Sequence, residues 1–197
     1  MSRPTASLPA SYFEALYAAD PDPWQFRSSE YESRKYATTL AALPRERYGR
    51  ALEVGCSIGV LTRALAARCD RLVAIDGAAR AIAAAQRHCG ELPGLTLMQR
   101  EVPRGWPRGR YDLILLSEIL YYFDEDDLAS VAALCLRDLQ PGADLLLVHW
   151  VGTTDYPLSG DAAVAAFEAA LGDEVTALAR SRTDRYRLDL LRRAPAG

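Results

Sequence analysis

From residue 50 to residue 172, short apolar runs alternate with longer stretches whose apolar residues recur at helical spacing. The apolar runs are "RALEV" (50–54), "RLVAID" (71–76), "LTLMQ" (95–99), "YDLILLS" (111–117) and "ADLLLVHW" (143–150). Their length and continuous apolarity predict strands buried on both faces. Between and after them, "IGVLTRALAARC" (58–69), "AARAIAAAQRHC" (78–89), "DEDDLASVAALCLRDL" (124–139) and "GDAAVAAFEAALG" (160–172) predict helices. "QPG" ends the third of these, and the fourth has Asp161 as its expected N-cap and Gly172 just past its end. Two last strands, "EVTALARSR" (174–182) and "DRYRLDLLRR" (184–193), are joined too tightly for a crossover helix, so they are expected to be antiparallel. The pattern is α/β: a mostly parallel seven-stranded sheet with an antiparallel last strand and helices on both faces.

The N-terminal quarter reads differently. Residues 1–10 are expected to form a disordered tail. Residues 11–48 are rich in aromatics and predict two helices, about 11–19 and 29–43, on either side of "DPDPW", whose prolines forbid one continuous helix. This segment is expected to act as a helical lid over a core spanning residues 49–197, in one domain.

Composition narrows the function. The 197 residues suffice for one domain with a real core, and 50% hydrophobic with 25% charged residues suits an ordinary globular chain. No apolar stretch approaches the roughly 20 residues that a membrane span needs, and the N-terminus has no secretory h-region. A cytoplasmic protein without a membrane partner is expected. The four cysteines are scattered, without a Cys-x-x-Cys or Cys/His cluster, which argues against a structural metal and for reduced thiols. A net charge of −3 without a basic run argues against a nucleic-acid partner.

Candidate chemistry gathers where strands end, which is where open α/β sheets bind ligands. "Glu53-Val-Gly55-Cys-Ser57-Ile-Gly59" closes the first strand and opens the first helix. Its glycines allow close backbone approach, and free helix-start amides favour anionic groups. Asp76 ends the second strand, 23 residues after Glu53. An acid about 20 residues past a Gly-rich turn suits a pair of ribose hydroxyls. The dinucleotide fingerprint fails, because Ser57 and Val60 stand where it requires glycine, and no P-loop Gly-Lys-Ser/Thr follows.

What remains, acid-x-Gly-x-x-x-Gly, resembles motif I of the Rossmann-like class I S-adenosylmethionine-dependent methyltransferases, with Ser57 where that motif is usually written with a further glycine. The resemblance implies that Asp76 binds the ribose and that Glu101, in "LMQREVP", lies beside the adenine. It extends the cofactor set to Arg34, Glu53, Gly55, Ser57, Gly59, Gly77, Val102 and Ser117. Arg34 or Lys35 is expected to meet the cofactor carboxylate, depending on helix phase. The implied cofactor is S-adenosyl-L-methionine, leaving S-adenosyl-L-homocysteine, with no metal.

The acceptor is read from the flanks. "Ser117-Glu118-Ile119-Leu120-Tyr121-Tyr122" lacks the Pro-Pro-aromatic signature of nucleic-acid base methyltransferases. "DPWQFRSSEYESRKYATTLAALP", "LSEILYYF" and "VHWVGTTDYPLSGD" together resemble the nodulation protein S family of N-methyltransferases, over about residues 12–170. This implies a small-molecule amine acceptor, an amino sugar or deacetylated chitooligosaccharide. An amine with a pKa of about 8 is partly neutral at pH 7, so no strong base is required, and a positioned carboxylate or imidazole can orient it and take its proton. Glu118 and His149, at strand ends, are the catalytic candidates. Trp24, Tyr31, Tyr121, Tyr122 and Trp150 offer stacking faces for a sugar ring. Asp155 and Asp161 offer partners for hydroxyls or an ammonium, with Asp161 also the expected helix cap. His88, in a last helical turn, reads as a surface cation. The same cofactor residues serve an O- or C-methyltransferase, or a binding protein without turnover, and motif I does not separate these.

Overall fold

The computed structural model describes residues 3–195. The chain divides into two compact units: Pro9–Glu101, and everything from Val102 onward together with the N-terminal segment that ends at Leu8.

The first unit begins with helices α1 (Ala10–Ala19) and α2 (Glu30–Ala41). They are separated where Asp22 takes over the local backbone, its carboxylate accepting the amides of Phe26 and Arg27. Ser29 caps α2 by accepting from the amide of Glu32. Strands β1 (Ala51–Val54), β2 (Leu72–Asp76) and β3 (Leu95–Gln99) alternate with α3 (Val60–Ala66) and α4 (Ala79–Cys89). The strands are parallel in the order β3-β2-β1, with Ala51 opposite Leu72 and Leu72 opposite Leu95. Every residue of β1 is buried, whereas β3 is only partly covered. Helix α3 is shorter than the sequence pattern predicts. It starts after Gly59, whose φ of +83° is not helical, and it stops at Ala66, after which Cys69 bridges to Tyr48.

The second unit contains β4 (Tyr111–Ser117), α5 (Glu125–Asp138), β5 (Leu139–Trp150), α6 (Gly160–Leu171), β6 (Val175–Arg182) and β7 (Tyr186–Arg193). Strand order here is β4-β5-β7-β6. β4 and β5 are parallel, and β7 is antiparallel to both of its neighbours. The closing hairpin is thus present, but its second strand inserts between β5 and β6. Asp144, wholly buried in β5, secures that insertion by accepting two hydrogen bonds from Arg192 of β7. "QPG" does not end α5 in a loop. β5 already begins at Leu139, opposite Tyr111, and Gly142 at φ +74° absorbs the irregular register before Leu113 pairs with Asp144.

Two expectations at the termini of elements change. Helix α6 is capped by Ser159, which accepts from the amide of Ala162, and not by Asp161. Asp161 instead pairs with Arg182 and Arg187 of the hairpin. The segment expected as a loose tail carries bonds of its own: Arg3 donates to the Tyr156 carbonyl, Leu8 to the Tyr122 carbonyl, and Ser7 to Asp127. Among the described residues, no helix is long and apolar enough to cross a membrane, and no group of three or more His, Cys, Asp or Glu side chains gathers as a metal site.

Candidate functional site

In the first unit, the joint between β1 and α3 is built from three left-handed residues: Gly55 (φ +82°), Ser57 (φ +51°) and Gly59 (φ +83°). The amides of Gly55 and Cys56 both donate to the carbonyl of Ile75 in β2, at 2.9 Å each, so the turn is anchored to the neighbouring strand. Gly59 must be glycine twice over. Its φ disfavours a side chain, and a Cβ would lie 3.0 Å from Ala85 Cβ and Cys89 Sγ of α4.

Asp76 ends β2 beside this turn. Its Oδ2 accepts the Ser57 amide and its Oδ1 the Ala78 amide, each at 2.9 Å. A carboxylate has about four lone-pair sites, so two backbone bonds fix its orientation and leave acceptor capacity for a ligand. Burial raises its pKa, and the two amides work against that rise. Gly77 is held through its carbonyl by Gln99, and the exposed Glu101 accepts the amide of Ala10 at the start of α1.

Glu53 lies one strand over, 1% exposed. Its Oε2 has no hydrogen-bond partner, and the hydroxyl of Thr62 lies close by on α3. Burial pushes the Glu53 carboxyl up to about 7, with the Thr62 hydroxyl opposing and the charge of Asp76 adding to the rise.

The sequence did not single out Tyr17. Its hydroxyl is hydrogen-bonded to the Ser57 hydroxyl, and its ring packs with Trp24, Ile58, Ala78 and Ala81. Trp24 is thereby engaged in packing, edge-on to Tyr17 and stacked on Phe26. The spacing of Tyr17 four residues after Phe13, on the face of α1 that packs here, was the available signal. The two candidates on α2 differ in exposure. Arg34 points outward and pairs with Glu30, with three quarters of its side chain exposed. Lys35 is buried, ion-paired to Glu32 at 2.9 Å, its ammonium over the rings of Tyr31 and Tyr36.

In the second unit, Val102 is half-buried and Ser117 buried at the end of β4. Glu118 follows with φ +58°, a conformation L-residues rarely adopt. The turn is determined from several sides. The Glu118 amide donates to Val148, and its Oε2 accepts from the Trp150 amide and the Tyr121 hydroxyl, both at 2.7 Å. His149 is wholly buried, and its Nε2 accepts the Leu120 amide at 3.2 Å. That nitrogen is thus committed to holding the 118–120 turn.

Tyr121 and Tyr122 meet edge to face, and Tyr156 stacks on Tyr121 with ring centroids 5.4 Å apart. Burial pushes both Tyr121 and Tyr122 up, so they remain phenols. Tyr156 completes this cluster from an irregular stretch, where no periodicity marked it. Trp150 is half-buried and Asp155 exposed. Asp161 is tied up by Arg182 and Arg187, which hold its carboxyl below the usual range.

The architecture defines a class. A solved N-methyltransferase NodS from Bradyrhizobium japonicum, in complex with S-adenosyl-L-homocysteine, superposes with a TM-score of 0.82 at 21% identity, covering 93% of this chain and 98% of that one. The fold is that of the Rossmann-like class I methyltransferases. A Pseudomonas syringae structure provisionally described as a methyltransferase is 38% identical, with a TM-score of 0.74, over 84% of this chain and all of that one. The profile of the nodulation protein S (NodS) family matches residues 14–145, and the chain belongs to that family. Nodulation protein S of Rhizobium tropici is 33% identical over 131 residues, which are 66% of this chain and 55% of that protein. The chain spans about half the length of the curated relatives it matches.

Proposed function

We propose that the protein is an S-adenosylmethionine-dependent N-methyltransferase acting on the free amine of a small acceptor, with an amino sugar or deacetylated chitooligosaccharide as the acceptor class. The observation that carries this reading is Asp76, a carboxylate fixed by two amides beside a turn of left-handed residues, with acceptor capacity to spare. Family membership supports it.

The residues fit the cofactor. Asp76 holds the two ribose hydroxyls, Glu101 the adenine edge, and the Gly55–Gly59 turn lets the ligand approach the backbone. When bound, S-adenosylmethionine supplies an electrophilic methyl group on a positively charged sulfur. Glu53, whose buried oxygen has no partner, is placed to answer cationic charge. Lys35 takes the carboxylate role first given to either of two neighbours.

On the acceptor side, Glu118 orients the amine and receives the proton it releases. His149 acts through it, as a positioning residue, because its Nε2 is already spent on the Leu120 amide. The faces of Tyr121, Tyr122 and Trp150 offer stacking for a sugar ring. The four free, buried thiols support a cytoplasmic setting.

Calorimetry with S-adenosylhomocysteine tests the cofactor half. The protein binds it, and Asp76→Ala weakens binding at least about tenfold, since a ribose hydroxyl bonded to a charged group is worth about 1.5–3 kcal/mol. No binding, or binding that Asp76→Ala leaves unchanged, overturns the reading.

A further inference from the structure

Ser57 occupies a backbone conformation that glycine adopts freely and serine does not, between two glycines that share it. A serine kept there must be held. Two bonds do so: its amide donates to Asp76 Oδ2 at 2.9 Å, and its hydroxyl is bonded to that of Tyr17.

Tyr17 is itself immobile. It is 6% exposed, its ring lies edge-on to Trp24 at 5.7 Å, and it shares an apolar cluster with Ile58, Ala78 and Ala81. Burial and the charge of Asp76 keep its hydroxyl protonated. Ala78 in that same cluster gives its amide to the other oxygen of Asp76. Both backbone groups that aim the Asp76 carboxylate are thus attached to Tyr17, one by a hydrogen bond and one by packing.

We infer that Tyr17 is a positioning residue for ribose recognition: it holds Ser57, and Ser57 holds Asp76 in the orientation that accepts the ribose hydroxyls. This rests on the cofactor reading above and adds to it a residue of α1 that makes no assumed contact with the ligand.

Calorimetry with S-adenosylhomocysteine and its 2′,3′-dideoxy analogue tests it. Tyr17→Phe keeps the packing, removes the hydroxyl, and weakens S-adenosylhomocysteine binding about three- to tenfold, the range of one neutral hydrogen bond. Ser57→Ala, which removes the other hydroxyl, does the same, and the double variant is no worse than either single one, because the two side chains act as one unit. Against the 2′,3′-dideoxy analogue, which has no hydroxyl for Asp76, the loss shrinks to less than about twofold, a selectivity that general loosening of the fold would not produce. Unchanged binding in Tyr17→Phe, or equal losses for both ligands, overturns the inference while leaving the cofactor reading intact. If Tyr17→Phe fails to fold, Ser57→Ala carries the same comparison. Absence of binding in the unaltered protein overturns both.

Discussion

Glu53 is a carboxyl whose charge the fold resists, because it is buried in β1 with one oxygen unpartnered. Its pKa stands at about 7, against an ordinary value of 4.5. Between these two values the folded chain keeps a proton that the unfolded chain has released. Stability therefore falls as pH rises from about 4.5 to about 7 and is level above that, a loss of up to about 3 kcal/mol. Glu53→Gln removes this slope. Urea unfolding of both proteins at pH 5 and pH 8 checks it: the variant gains relative to the parent at the higher pH. An equal difference at both values would contradict the burial argument. Asp76 is raised by the same cause, with the amides of Ala78 and Ser57 working against the rise.

At the level of elements, α6 shows what sequence pattern decides and what it leaves open. The pattern placed the helix correctly but put the cap at Asp161, whereas the structure gives it to Ser159. Contact fixes where the helix starts. Gly160 packs so closely on the end of β5 that a Cβ would lie 1.9 Å from the Trp150 carbonyl oxygen. Gly160→Ala is expected to destabilise the protein by about 3 kcal/mol, since the obstacle is backbone that cannot step aside. Ser159→Ala costs about 1 kcal/mol, the value of an N-cap. Thermal melts rank these two changes, and the reverse ranking would contradict the packing. The same distinction holds elsewhere. Alternating periods revealed the strands and helices, and strand ends revealed Glu53, Asp76 and Glu118. The insertion of β7 between β5 and β6 depends on long-range partners such as Asp144 and Arg192, which no local period encodes. Which of Arg34 and Lys35 is covered depends on the packing of α2, and the places of Tyr17 and Tyr156 on contacts between segments distant in sequence.

For the whole molecule, the central claim is that the transferred methyl group goes to nitrogen. A net charge of −3 and the carboxylate of Glu118 suit an acceptor that arrives partly as an ammonium ion. The chain belongs to the NodS family and spans about half the length of its curated relatives. The most direct measurement is mass spectrometry of chitooligosaccharides incubated with the protein and S-adenosylmethionine. One set carries a free amine at the non-reducing end, and a matched set is fully N-acetylated. A gain of one CH₂ on the free-amine oligomer and none on the acetylated one is the predicted result. An equal gain on both, which would place the methyl group on oxygen, contradicts the account.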